Sequence, residues 1–276
     1  MSGLSARVVS AIIAGFSVFA AGFWGGPRGL TVTSLIVLLL GLKEYGSMAF
    51  PDASKIKPLR HWFLCCGSLF LISMAIIPDF SMSFLCSLVI LFFCGSLWHY
   101  RGKIDNTSMM TSFALGSLGF LYFITFPGLV LKSLTLPHGS LWFTLLLLLV
   151  FFGDTFAYFG GRFFGKHPLM PEVSPNKTVE GLVAGLLGSV VASCIFMGIF
   201  LPTVPIWVVG LFALICGCAA HTGDLLVSLV KRVAQVKDSG KIMPGHGGIL
   251  DRLDGVYMAS PLVFAFARFC EITFLS

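Results

Sequence analysis

Charge is scarce in this 276-residue chain: Asp, Glu, Lys and Arg together make up 11% of it, against 57% hydrophobic residues. No polar stretch longer than a loop separates its apolar runs, which excludes a soluble domain of any size and a nucleic-acid partner. The alternation of apolar and polar residues that marks outer-membrane strands is also missing; runs such as LWFTLLLLLVFF (141–152) are apolar on every face. No CxxC pair occurs. The eight cysteines (65, 66, 86, 94, 194, 216, 218 and 270) fall in or beside apolar windows, as small core residues and not as metal ligands or disulfides.

What is present is a series of apolar windows of about 18 to 20 residues, each long enough to cross a bilayer as a helix. About nine can be placed, near 7–24, 29–46, 61–78, 81–98, 109–131, 138–163, 180–200, 204–222 and 256–275. The expected fold is therefore all-α, a polytopic integral membrane protein. N-terminal spans (1–140) precede a C-terminal transmembrane catalytic region (141–276) with polar loops. Arg7 followed by an apolar run resembles a secretory leader, but the next span follows at once, so the first helix is expected to stay as an anchor.

Basic residues set the expected orientation. Of the 18 Lys and Arg residues, only Arg28, Lys132 and Arg268 lie away from the side shared by the N-terminus and the loops after spans 2, 4, 6 and 8. Positive charge concentrates on the cytoplasmic side of membrane proteins. The polar loops are thus expected to face the cytoplasm from the plasma (inner) membrane. That basic face suits lipid or nucleotide phosphates.

Nearly everything capable of chemistry sits in two of those loops. The first runs from GDTFAYFGGRFFGKH (153–167) into PEVSPNKTVEG (171–181). Asp154 ends an apolar run, where an ionised carboxylate is costly unless compensated, and Tyr158 and Arg162 follow at helical spacing. Gly153, Ala157, Gly161 and Gly165 form a small-residue stripe suited to close helix packing, within or between chains, so a homodimer stays open. SPNKT is expected to form a Pro-containing turn presenting Ser174, Lys177 and Thr178 at a helix start, where backbone N–H groups suit a phosphate.

The second stretch is HTGDLLVSLVKRVAQVKDSGKIMPGHGGILDRLDG (221–255). Asp224, Ser228 and Lys231 share one helical face, with Arg232 beside them. Lys231 is expected either to hold a phosphate or to pair with Asp224. Lys237, Asp238 and Lys241 lead to His246, Gly247 and Gly248, a loop where backbone can approach a ligand closely. Asp251 and Asp254 stand three apart at a helix start, and carboxylates joined by substrate phosphates are the oxygen environment that Mg²⁺ prefers.

The string SLVKRVAQVKDSGKIMPGHGGILDRLD (228–254) resembles the signature of the phosphatidate cytidylyltransferases, or CDP-diacylglycerol synthases, and the two segments of the first loop resemble that family's other recurring stretches. The resemblance covers most of the C-terminal half; residues 1–140 share only the apolar spans. It implies an enzyme that transfers CMP from CTP to phosphatidate with Mg²⁺, leaves room for a second cation, and assigns roles residue by residue. Asp224 and Asp251 would hold metal. Lys177, Lys231, Arg232, Lys237 and Arg252 would serve the phosphates. Asp154, Ser174, Ser228, Asp238, His246 and Asp254 would lie in or next to the site. Val227 departs from the family where an acidic residue is common, and Gly255 where a small hydroxyl residue is common. Two other classes stay open: a different CTP- or sugar-nucleotide-using lipid-phosphate transferase or kinase, and an ion-coupled transporter. Matched interrupted helices, a mark of many transporters, are missing from the two halves.

Overall fold

A backbone in hydrocarbon has no water to bond, so an apolar run closes its own hydrogen bonds as a helix. The computed structural model describes residues 3–51, 56–77, 81–100, 105–242 and 247–275, and they are helical nearly throughout. Eight helices among the described residues are long and apolar enough to span a membrane, and they coincide with the expected windows from 29–46 onward. The remaining window, 7–24, falls on the first arm of a helix whose side chains there lie mostly outside the described residues. The protein is a polytopic, α-helical membrane protein.

The chain forms two compact units. The first comprises residues 1–132 and 233–252, the second 133–232 and 253–276. In the first unit, α1 (Gly3–Ala49) bends at Gly26, whose φ of 55° and ψ of −147° suit only glycine, ahead of Pro27, which lacks an N–H. It packs on α2 (Lys57–Ile76), and α2 on α3 (Ser81–His99). α4 (Asn106–Leu118) runs through a π-helical turn (Gly119–Thr125) into α5 (Phe126–Ser133). The core between them is aromatic: Tyr45 stacks on Phe123 at 3.9 Å, and Phe63 meets Phe92 and Phe120 edge-on. Gly119 lies against this cluster because a Cβ there would come within 2.5 Å of Phe63 and 2.7 Å of Tyr45.

In the second unit, α6 (Gly139–Phe164) and α7 (Val179–Phe200) pack along most of their lengths. The small-residue stripe does serve this contact: Gly153 lies against Ser189, Ala157 against Gly185 and Gly161 against Gly181, with Gly160 beside the stripe against Ala184. The Ser189 hydroxyl donates to Leu149 O at 2.9 Å. Between these helices, β1 (Pro168–Met170) pairs antiparallel with β2 (Ser174–Thr178). The SPNKT turn expected from the sequence is therefore a strand; pairing of Met170 with Ser174 and Pro168 with Thr178 holds the backbone extended. α8 (Ile206–Val233) follows, and α9 (Leu250–Thr273) closes the chain, belonging to the first unit through Arg252 and to the second from Leu253. Near the end of α9, Glu271 accepts hydrogen bonds from the buried Trp142 indole at 2.8 Å and from His138 N at 3.2 Å, with His138 Nδ1 3.0 Å away.

Candidate active site

Polar side chains collect in each unit. In the second, β2 runs straight into α7, with Thr178 capping the helix by accepting from Gly181 N at 3.1 Å. Glu180, in the first turn, accepts from Lys166 N and His167 N and lies 2.6 Å from His167 Nδ1, tying the hairpin to the helix. Lys177 is thereby fixed one residue before the cap. Its Nζ is buried and stands 2.6 Å from Asp224 Oδ2 on α8, off the direction of a hydrogen bond. The other carboxylate oxygen of Asp224 takes the Ser228 hydroxyl at 3.4 Å, as the i, i+4 spacing predicts.

Asp254, one turn into α9 and 7% exposed, feels the charges of Asp224, Asp154 and Lys177, and His221 feels those of Lys177 and Asp224. Asp154, Asp224, Asp254 and Lys177 thus interact electrostatically within the second unit. Lys231 is half-buried on α8. Arg232 donates from Nε to Val173 O at 3.3 Å. Arg162 donates to the Tyr158 hydroxyl at 3.2 Å. Ser174 lies in β2, paired with Met170.

Both departures from the family signature fall at packed positions. Val227 is fully buried on α8. A Cβ on Gly255 would lie 3.0 Å from Val150 Cγ1 and 3.3 Å from Ala220 O, so α9 runs too close to α6 and α8 there to admit a side chain without adjustment.

In the first unit, the loop after α8 is organised by carboxylates. Asp251 Oδ2 accepts from Ser239 N at 2.9 Å, Ser239 Oγ at 3.0 Å and Gly248 N at 3.0 Å. Gly247 has a φ of +82°, which a side chain would resist. Lys237 and Asp238 are exposed, as is Arg252 at the start of α9. His246 lies outside the described residues. A residue the sequence did not single out, Glu44 of α1, accepts from Ile249 N, Leu250 N and Ser239 Oγ and is 5% exposed. The sequence signal was available: it is a lone carboxylate in an apolar span.

Spanning helices that carry a loop rich in Asp, Lys and Gly define a membrane enzyme acting on charged groups. The chain belongs to the cytidylyltransferase family, whose profile it matches over residues 5–270, and is by that membership a nucleotidyltransferase. It is similar to the uncharacterized protein YnbB of Escherichia coli K12, with 32% identity over 250 residues, 89% of this chain and 81% of that one. It is also similar to proteins named phosphatidate cytidylyltransferase, at 38% identity in Staphylococcus saprophyticus and 36% in Staphylococcus aureus COL, each over 160 residues. Those matches span 58% of this chain and 58% of the staphylococcal ones.

Proposed function

We propose that the protein is a phosphatidate cytidylyltransferase of phospholipid biosynthesis, transferring CMP from CTP to phosphatidate. The observation that carries this reading is the buried Lys177 ammonium held 2.6 Å from Asp224. Among the described residues that ammonium makes no hydrogen bond, so its protons can meet phosphate oxygens. An oxygen of the phosphatidate phosphate attacks the α-phosphorus of CTP. The bond from that phosphorus to the bridging β-oxygen breaks, and pyrophosphate leaves with the electron pair. The nucleophile is already an anion, so no protein nucleophile is required. Catalysis then consists of aligning two polyanions and offsetting charge on the leaving group. Lys177 serves the phosphates in the second unit, with Lys231 and Arg232 on α8 and Arg162 on α6 in supporting roles. Lys237, Arg252 and the Gly247–Gly248 backbone are proposed phosphate contacts of the first unit.

Mg²⁺ fits the donor set. Among the described residues no three His, Cys, Asp or Glu side chains are gathered into a metal cage, whereas Mg²⁺ takes one or two carboxylates and completes its shell with substrate phosphates and water. Asp224 is the proposed magnesium carboxylate of the second unit, its side chain 33% exposed, and Asp251 that of the first. Such an ion neutralises phosphate charge. Asp154 and Asp254 of the second unit are proposed to line the reacting groups, with Ser174, Thr178 and Ser228 orienting them. The excess of Lys and Arg in these loops supports a site on the cytoplasmic side of the plasma membrane.

Purified protein in mixed micelles, given phosphatidate and CTP labelled at the α-phosphate, is expected to yield labelled CDP-diacylglycerol, and labelled pyrophosphate is expected to exchange into CTP only with the lipid present. A phosphorylated lipid with release of CDP would point instead to a CTP-dependent kinase. No lipid product from CTP would overturn the reading.

A further inference from the structure

We propose that Glu44 is a positioning residue for Asp251 and Arg252, acting from α1 as the cap that α9 lacks in its own sequence. All of these residues belong to the first unit. The first N–H groups of any helix have no partner inside it. Residues ahead of α9 read Gly247-Gly248-Ile249, without the Ser, Thr, Asp or Asn side chain that ordinarily supplies an acceptor. Glu44 supplies it from 205 positions earlier in the chain: Ile249 N donates to Oε1 at 3.1 Å and Leu250 N to Oε2 at 2.9 Å. A carboxylate placed there also meets the positive end of the helix dipole.

The same carboxylate holds the loop. Ser239 Oγ lies 3.0 Å from Glu44 Oε2 and 3.0 Å from Asp251 Oδ2. One hydroxyl carries one proton, so Ser239 donates to one carboxylate at a time and bridges the two. Gly240 and Gly248 leave the space this requires, since a Cβ on either would collide with the Glu44 carboxylate. A buried charge inside an apolar span is costly, and two backbone N–H groups and the shared Ser239 hydroxyl offset that cost only while the loop and the start of α9 keep this arrangement. Glu44 therefore fixes the backbone from which Asp251 and Arg252 project, without touching substrate. The catalytic part of this assignment rests on the function proposed above; the positioning part does not.

The test compares full-length wild type with Glu44→Gln, Glu44→Asp and Ser239→Ala in mixed micelles, by steady-state kinetics and by amide hydrogen exchange. Gln keeps the shape but sets an N–H₂ group against a backbone N–H. Glu44→Gln is expected to lower kcat about 10- to 100-fold, the usual loss when a group supporting an active residue is removed, with KM for CTP changed less than about threefold. Exchange at Ile249 and Leu250 is expected to rise while that of α7 stays unchanged. Glu44→Asp should recover part of the rate and protection. Ser239→Ala, the milder change should the Glu44 variants fail to fold, should raise exchange at Gly248 and lower kcat less. Unchanged protection at 249–250 in Glu44→Gln, or unchanged kcat with protection lost, overturns the proposal. If wild type forms no lipid product from CTP, the functional reading falls, and exchange alone still decides whether Glu44 holds the start of α9.

Discussion

Lys177 Nζ stands 2.6 Å from Asp224 Oδ2, joining the strand that leads into α7 to the last third of α8. The pair makes two demands on these residues, one of chemistry and one of stability, and they differ in size. Asp224→Asn is expected to lower kcat by two orders of magnitude or more, about 3 kcal/mol of barrier, at saturating Mg²⁺. The side chains are 22% and 33% exposed but the ammonium itself is buried, so stability should fall by about 1–2 kcal/mol, between the values for exposed and buried pairs. Rates normalised to folded protein, with melting curves, check both. A stability loss of several kcal/mol with turnover intact would make the pair architectural.

Glu271 offers the reverse case. Replacing it with Leu leaves the buried Trp142 indole N–H without its acceptor, an expected loss of about 1–3 kcal/mol. Turnover per folded molecule should be unchanged. A fall in kcat with no change in melting temperature would contradict the structural role.

Gly255→Ser restores the residue type common in the family. Val150 must yield by a few tenths of an ångström to admit it, at a cost of about 1 kcal/mol. Coupling should appear in a double-mutant cycle with Val150→Ala, where removing the obstructing methyl makes the serine cheaper. Strict additivity would mean that the helices adjust elsewhere.

Asp105 caps α4 and accepts from Ser108 N at 3.0 Å. Hydrogen bonds from the Ser108 side chain and backbone hold its carboxyl below the usual carboxylate range. The ionised form is therefore favoured by folding. This stabilising contribution is complete above the unfolded carboxyl's pKa, declines as pH drops through about 4, and vanishes once the folded carboxyl is protonated. Asp105→Ala should melt lower than wild type at pH 7, with the difference closing below pH 4. A difference that persists undiminished in acid would show that ionisation is not its source.

Orientation is open to labelling from either side of the membrane. Single cysteines at Met170 and Lys237 are expected to react with an impermeant maleimide from the cytoplasmic side, and one at Thr203 from outside, because the basic residues favour the former loops. The native cysteines described above lie within spanning helices and give a low background. Labelling of 170 and 237 from opposite sides would remove the two polar loops from a common face.

The sequence by itself determined the spanning helices, because transfer into a bilayer depends on the apolar length of a local window. It also determined the i, i+4 neighbours Asp224 and Ser228, since helical pitch alone brings them together. The residue types around 228–254 were enough to suggest the family. Only tertiary structure decided which charge meets which. Asp224 meets Lys177 from a strand 47 positions earlier, and residues 174–178 are extended because a partner strand pairs with them. Glu44 is the clearest instance. A carboxylate in an apolar helix announces that something must compensate it, but the compensating donors are backbone N–H groups, present at nearly every residue and aimed at Glu44 only by the packing of distant segments.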